Sequence, residues 1–139
     1  MSVAPERGVL GIHRHFTTPG IDPYDEIDWE VRTSRLVDHR DGSVAFQQDG
    51  VEVPSDWSVN ATNILAQKYF RGPLDGPGRE SSLRQVADRV AGTIADWGRR
   101  DGYFTDDDEA EAFAAELRYL IVTQRAAFNS PVWFNIGVP

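Results

Sequence analysis

The residues best suited to holding a small polar ligand stand near the carboxyl end, in Phe128-Asn129-Ser130-Pro131-Val132-Trp133-Phe134-Asn135-Ile136-Gly137. The run is aromatic, yet it carries two amides, a hydroxyl and a proline. A buried strand does not place a Ser-Pro pair in its middle. An Asn-Ser-Pro turn offers backbone N–H groups and side-chain oxygens at a point fixed by Pro131, which suits hydrogen bonding to a polar ligand. The same residues also suit a tight structural turn, and both readings stand at this point. Upstream, Lys68-Tyr69-Phe70-Arg71 sets two cations beside two aromatics. That group can grip a nucleotide or fix a helix end by cation–π contact, and the structural use is preferred.

Other polar clusters carry less chemistry. His13 and His15 supply two imidazoles without the third ligand that a metal site needs, and His39 reads as a surface residue beside a turn. Arg71 to Glu80 contains three Gly and two Pro but lacks the Gly-Lys-Ser/Thr ending of a phosphate loop, so it reads as a linker. Asp106, Asp107 and Asp108 lack the spaced ligands of a calcium loop and read as favourable charges at a helix N-terminus. The 139 residues include no cysteine, which removes thiolate nucleophiles, thiolate metal sites and disulfides. No catalytic residue and no metal ligand set is therefore assigned within the chain.

A formal charge of −8 argues against general nucleic-acid binding, which needs a basic stripe, and against an anionic membrane surface. With 40% hydrophobic and 26% charged residues the composition is that of a globular protein. No stretch approaches the roughly 18 apolar residues of a membrane span, and Met1 to Gly20 lacks the apolar core of a signal peptide. A cytoplasmic location is the default expectation.

The elements that must position these groups follow from periodicity. Residues 1–23 are polar, punctuated by Pro and Gly, and read as an irregular arm ordered by the rest of a protein or by a partner. Residues 27–54 read as β. Trp29, Val31, Thr33 and Arg35 form the more apolar face of a first strand. Asp41-Gly42 is a two-residue hairpin signal, and Val44 and Phe46 share a face of the returning strand. Gln48-Asp49-Gly50 is a second turn before a third short strand with Val51 and Val53.

Residues 55–127 read as helical. Asp56 or Ser58 caps a helix carrying Ala61, Ile64, Leu65, Lys68 and Tyr69 on one face. Ser82-Leu83-Arg84-Gln85 is a capping box. It opens a helix with Leu83, Val86, Ala87, Val90, Ile94 and Trp97 on one stripe, closed by Gly98 and Gly102. A last helix starts at Thr105 to Glu109 and carries Ala110, Phe113, Ala114, Leu117, Leu120, Ile121 and Gln124. It ends before Pro131. The short Asp-Gly connection predicts that these two helices pack antiparallel. The fold class is α+β: a short β-hairpin region, then a helical unit with an antiparallel helix pair.

Three segments, Ala61 to Gly72 (ATNILAQKYFRG), Gln85 to Phe104 (QVADRVAGTIADWGRRDGYF) and Ala126 to Val138 (AAFNSPVWFNIGV), together resemble the N-terminal region of adenosylcobalamin (vitamin B12)-dependent, class II ribonucleotide reductases. The resemblance covers residues 25 to 139, and the Asn-Ser-Pro-Val-Trp-Phe-Asn order is its most specific part. It implies a domain over 24–139, with 128–139 as the lead-in to a ten-stranded α/β barrel that is absent from this chain. It implies reduction of ribonucleotides, with ribonucleoside diphosphates as the expected substrate, by a cysteine thiyl radical that adenosylcobalamin generates. It implies substrate contact by Ser130, with Asn129 and Trp133 shaping the same wall. The cobalamin is then bound mainly by the missing part of the protein.

The expected partners are the ribonucleotide and the remainder of the reductase chain, and the resemblance allows a homodimer of the complete protein. Lacking cysteine, the chain is expected to be inactive alone, as a truncated record, a piece of a split or intein-interrupted protein, or a retained fragment. The alternative reading is a non-catalytic binding or regulatory module that docks to a separate reductase subunit.

Overall fold

The computed structural model describes residues 11–138. They form a two-stranded antiparallel sheet and four α-helices, which is the expected α+β class: β1 (Trp29–Val37), β2 (Val44–Pro54), α1 (Val59–Ile64), α2 (Leu83–Arg100), α3 (Asp107–Val122) and α4 (Ser130–Asn135). The chain divides into two compact units. One joins the described part of 1–26 to 87–127; the other joins 27–86 to the described part of 128–139.

In the second unit, β1 and β2 pair with Ser34 opposite Gln48 and Arg32 opposite Val51. One residue on β1, Thr33, thus faces two on β2, Asp49 and Gly50, so the expected turn at Gln48-Asp49-Gly50 is a β-bulge inside one continuous strand. Gly50 takes the required left-handed conformation, with φ 68°. The extra residue keeps Gln48, Val51 and Val53 all buried, which simple alternation would forbid. The hairpin also differs from the expected two-residue turn. Asp38 donates its N–H to the Ser43 carbonyl at 2.8 Å, leaving a four-residue loop, His39–Gly42.

The buried face of β1 is the opposite of the expected one. Val31 is 67% exposed, while Ser34 is fully buried. The reason is the polar packing of α1. Arg32 donates to the Trp57 carbonyl (2.6 Å), the Ser55 carbonyl (3.0 Å) and Thr62 Oγ1 (2.8 Å), and Ser34 Oγ donates to Asn63 Oδ1 at 2.9 Å. Inward polar residues are tolerated because each finds a partner.

Helix α1 is capped by Ser58, whose hydroxyl accepts from the Ala61 N–H at 3.0 Å. It does not continue as an α-helix. A π turn occupies Leu65–Tyr69, and the Phe70 N–H bonds the Leu65 carbonyl at 3.0 Å. Residues 71–80, expected as a plain linker, form a pinned loop. Arg79 donates to the carbonyls of Ala66 (2.5 Å), Phe70 (3.1 Å) and Gly72 (3.1 Å) and to Gln48 Oε1 (2.9 Å). Its guanidinium lies 5.7 Å from the Phe70 ring centroid, and burial lowers its pKa. Glu80 closes the loop by accepting from the Arg71 N–H at 2.7 Å and donating its own N–H to the Arg71 carbonyl at 2.8 Å.

Gln85 makes its half of the expected capping box, accepting from the Ser81 and Ser82 N–H groups at 2.7 and 3.0 Å. The Ser82 hydroxyl accepts from Arg84, two residues on, and donates to Glu52 at 2.6 Å. The buried stripe of α2 holds Leu83, Val86, Ala87, Val90, Ala91 and Ala95. Trp97 was expected on it but is 45% exposed; the small, buried Gly98 takes the contact position instead. Helix α2 stops where Gly102 (φ 75°) forms a Schellman motif, with Tyr103 N–H to Gly98 O at 2.9 Å and Gly102 N–H to Arg99 O at 3.3 Å.

In the first unit, α3 opens on Asp106, whose carboxylate accepts from the Glu109 N–H at 2.9 Å, as the acidic run predicts. It ends earlier than expected. Gln124 lies outside it at φ 58°, and the Arg125 N–H bonds the Leu120 carbonyl at 2.9 Å, a Schellman closure with a non-glycine residue. The antiparallel pairing of α2 and α3 is borne out by their ion pairs. Arg99 meets Asp107 (3.8 Å) and Glu111 (3.2 Å), while Asp88, earlier on α2, meets Arg118 (3.9 Å), later on α3.

Part of the irregular arm is held on α3. Ile12 donates to Glu109 at 3.1 Å, Glu116 accepts from the His15 and Phe16 N–H groups, and Phe16 stacks on Tyr119 at 5.1 Å. A short 3-10 turn, Pro23–Glu26, buries Tyr24, whose hydroxyl donates to Asp88 at 2.7 Å. Burial, then that carboxylate, push the Tyr24 pKa up. Residues 1–10 of the expected arm lie outside the described residues.

Candidate functional site

The segment singled out for ligand binding lies in the second unit. Its Asn-Ser-Pro is the start of a short helix rather than an open loop. Asn129 is the N-cap residue at φ −69° and ψ 161°, and its carbonyl accepts from Val132 (3.1 Å) and Trp133 (3.3 Å). Pro131, with φ preset near the helical value, suits a first turn. The helix closes after one and a half turns, when Ile136 leaves the helical region at ψ 133° and Gly137 takes φ 72°.

Helical spacing puts Ser130 and Trp133, three residues apart, on one side of α4. Both meet Tyr69. The Ser130 and Tyr69 hydroxyls share a hydrogen bond of 3.0 Å. The Tyr69 ring lies 5.8 Å from that of Trp133 and 6.4 Å from that of Phe134, and Phe128 meets Trp133 edge-on at 5.5 Å. Asn129 sits apart in role: its side chain is exposed and makes no capping hydrogen bond. Of the three candidate residues, the fold thus gathers Ser130 and Trp133 around one tyrosine and leaves Asn129 at the neighbouring helix start.

Beside this cluster lies an apolar cavity of about 170 Å³, lined by Trp57, Ala61, Leu65 and Leu83 together with Tyr69 and Trp133. Its size is below the roughly 300–1,000 Å³ of pockets that enclose drug-sized ligands. The Tyr69–Ser130 pair is the polar feature beside it. Two hydroxyls can donate and accept hydrogen bonds to a polar ligand. The cluster of Tyr69, Ser130, Trp133 and Phe134 sets this hydroxyl pair among aromatic rings.

His15 is held edge-on to Phe16 at 4.6 Å, and the described residues contain no group of three His, Asp or Glu arranged to hold a metal. His39 is exposed, as expected. In Lys68-Tyr69-Phe70-Arg71, Phe70 is core at 4% exposure and Tyr69 carries the contact to Ser130. Sequence reasoning singled out that segment but not the pairing of its tyrosine with the Asn-Ser-Pro serine. No helix among the described residues is long and apolar enough to cross a membrane.

Comparison with known proteins agrees with the resemblance seen in the segments. A profile of the family described as class II vitamin B12-dependent ribonucleotide reductase matches residues 30–73 and 74–124. A vitamin B12-dependent ribonucleotide reductase of Streptomyces coelicolor is 50% identical over 130 residues, covering 94% of this chain and 13% of that protein. The protein of the same name from Streptomyces avermitilis is 51% identical over 130 residues, covering 94% and 14%. That of Rhodopirellula baltica is 43% identical over 120 residues, covering 86% and 11%. The chain therefore spans about one-seventh of the length of the Streptomyces proteins.

Proposed function

Because the chain belongs to the class II vitamin B12-dependent ribonucleotide reductases, we propose that it supplies the N-terminal domain, residues 24–139, of an enzyme that reduces ribonucleotides to deoxyribonucleotides. The observation that carries this reading is the family match across β1 through α3, at half identity to reductases of known name. Within it, Ser130 contacts the ribonucleotide by hydrogen bonding, and Trp133 and Asn129 shape the same wall. The preferred substrate is a ribonucleoside diphosphate, on analogy with the larger members of the family. The enzyme works in the cytoplasm and supplies precursors for DNA synthesis.

The residues described do not make a cobalamin site. The apolar cavity of about 170 Å³ is too small for a corrin ring. The recess of about 530 Å³ in the first unit opens at the surface between the arm and the carboxylates Asp108 and Glu109. The adenosylcobalamin on which the family depends, and the cysteines of its radical chemistry, belong to the rest of the reductase; these 139 residues have no cysteine. This chain's part is to fold the domain and to hold a substrate-side hydroxyl in place.

A chimera tests the reading. The 139 residues replace the aligned segment of the Streptomyces coelicolor reductase, and deoxynucleotide formation is measured with the B12 coenzyme and a dithiol reductant. Activity within about tenfold of the parent is expected. A folded, soluble chimera without activity overturns the assignment.

A further inference from the structure

We propose that Tyr69 is a positioning residue for ribonucleotide binding: the π turn delivers its hydroxyl to Ser130 and its ring to α4, fixing the substrate-side hydroxyl from the opposite segment. This deepens the reading above and rests on it.

The π turn creates the arrangement. In an uninterrupted α-helix, position 69 would follow Leu65 by four residues and share the inward face of Thr62, Leu65 and Ala66, all buried. The Phe70 N–H instead bonds the Leu65 carbonyl, five residues back. Phe70 takes the core place at 4% exposure, and Tyr69 turns aside, half-buried, toward α4. One extra residue in the turn thus separates a core aromatic from a tyrosine whose phenol is usable. The inserted residue costs helix regularity, and Arg79 bonding the Ala66 and Phe70 carbonyls stabilises the frayed end.

Either hydroxyl can donate in this pair; when Tyr69 donates to Ser130 Oγ, the serine proton is left to donate outward to a ligand. Without Tyr69 the serine hydroxyl rotates among its staggered positions, and a ligand must select one of them. Ring contact with Trp133 and Phe134 holds α4, an element of six residues with no fully buried side chain of its own.

The experiment uses the chimeric reductase described above. Tyr69→Phe keeps the ring and deletes the hydroxyl. The expected result is a KM for ribonucleotide raised about five- to tenfold with kcat within twofold, because a contact to bound substrate is weakened equally in ground and transition states. Thermal unfolding is expected to be unchanged within about 2 °C. Ser130→Ala and the double variant complete a cycle: the second change is expected to add less than twofold to the first. A second variant, deletion of Lys68, converts the π turn to α while keeping Phe70 in the core, and is expected to raise KM like Tyr69→Phe. An active parent chimera whose Tyr69→Phe variant keeps its KM overturns the role of Tyr69 and leaves the family function standing. Fully multiplicative effects in the cycle overturn it too. An inactive, folded parent chimera overturns the reading on which the role depends.

Discussion

Gly98 lies against the ring of Phe104: a β-carbon at position 98 would stand 2.8 Å from the ring's Cζ, inside the distance that carbon contacts tolerate. Phe104 is buried and packs on Phe113 at 5.4 Å, so it has little room to retreat. Helix propensity favours alanine over glycine by about 1 kcal/mol, while overpacking a core costs about 1–3 kcal/mol. Gly98→Ala is expected to destabilise the chain by up to about 2 kcal/mol in urea unfolding. An unchanged or raised midpoint would show that the ring moves aside freely.

The opposite sign is expected at Gln124. It closes α3 in the left-handed region, where a side chain costs roughly 1–2 kcal/mol. Glycine removes that cost and gives back about 0.4–1 kcal/mol through the entropy of the unfolded chain. Gln124→Gly should therefore stabilise by about 0.5–1 kcal/mol, read as a higher urea midpoint at constant slope. A lower midpoint would contradict the strain.

Arg79 bonds three backbone carbonyls and one side-chain amide in a fixed fork. Lysine keeps the charge but cannot reproduce that geometry. Arg79→Lys is expected to lose about 2–3 kcal/mol, the worth of one or two hydrogen bonds to a charged group, and to open residues 71–80 to limited proteolysis. Equal stability and equal cleavage would show that the clamp is incidental.

Glu116 gives an acid dependence. Burial raises its pKa, but hydrogen bonds from the His15 and Phe16 N–H groups and from Thr17 more than offset this and hold it below its usual value of 4.5. A folded-state pKa lowered in this way means that the unfolded chain binds more protons, so this stabilisation is full above pH 4.5 and is lost as pH falls through the lower folded value. Glu116→Gln should flatten the stability profile below about pH 5 relative to the parent. An identical slope in both proteins would contradict the arm's attachment to α3 through this carboxylate.

What was legible in the sequence was whatever local periodicity and capping chemistry decide. Ser58, Gln85, Asp106 and Gly102 cap as their positions suggest, and α2 and α3 pair antiparallel because their connection is short. What was illegible depends on partners distant in the chain. Val31 looks like a core residue until Arg32 finds the Trp57 and Ser55 carbonyls, which turns the strand over. Asp49-Gly50 has the composition of a turn, and only the pairing of Gln48 with Ser34 and of Val51 with Arg32 makes it a bulge. The Ser-Pro of the carboxyl run was visible as unusual, but its meeting with Tyr69 depends on a π turn for which residues 65–69 give no periodic signal.

Ser130 is the direct test of the whole account. In the chimeric reductase, Ser130→Ala removes one hydrogen bond to bound substrate, worth about 1–2 kcal/mol. The measurement is kcat/KM for ribonucleotide reduction beside the unsubstituted chimera. A fall of about five- to thirtyfold is predicted; an unchanged kcat/KM would remove Ser130, and with it the carboxyl-terminal helix, from the substrate site.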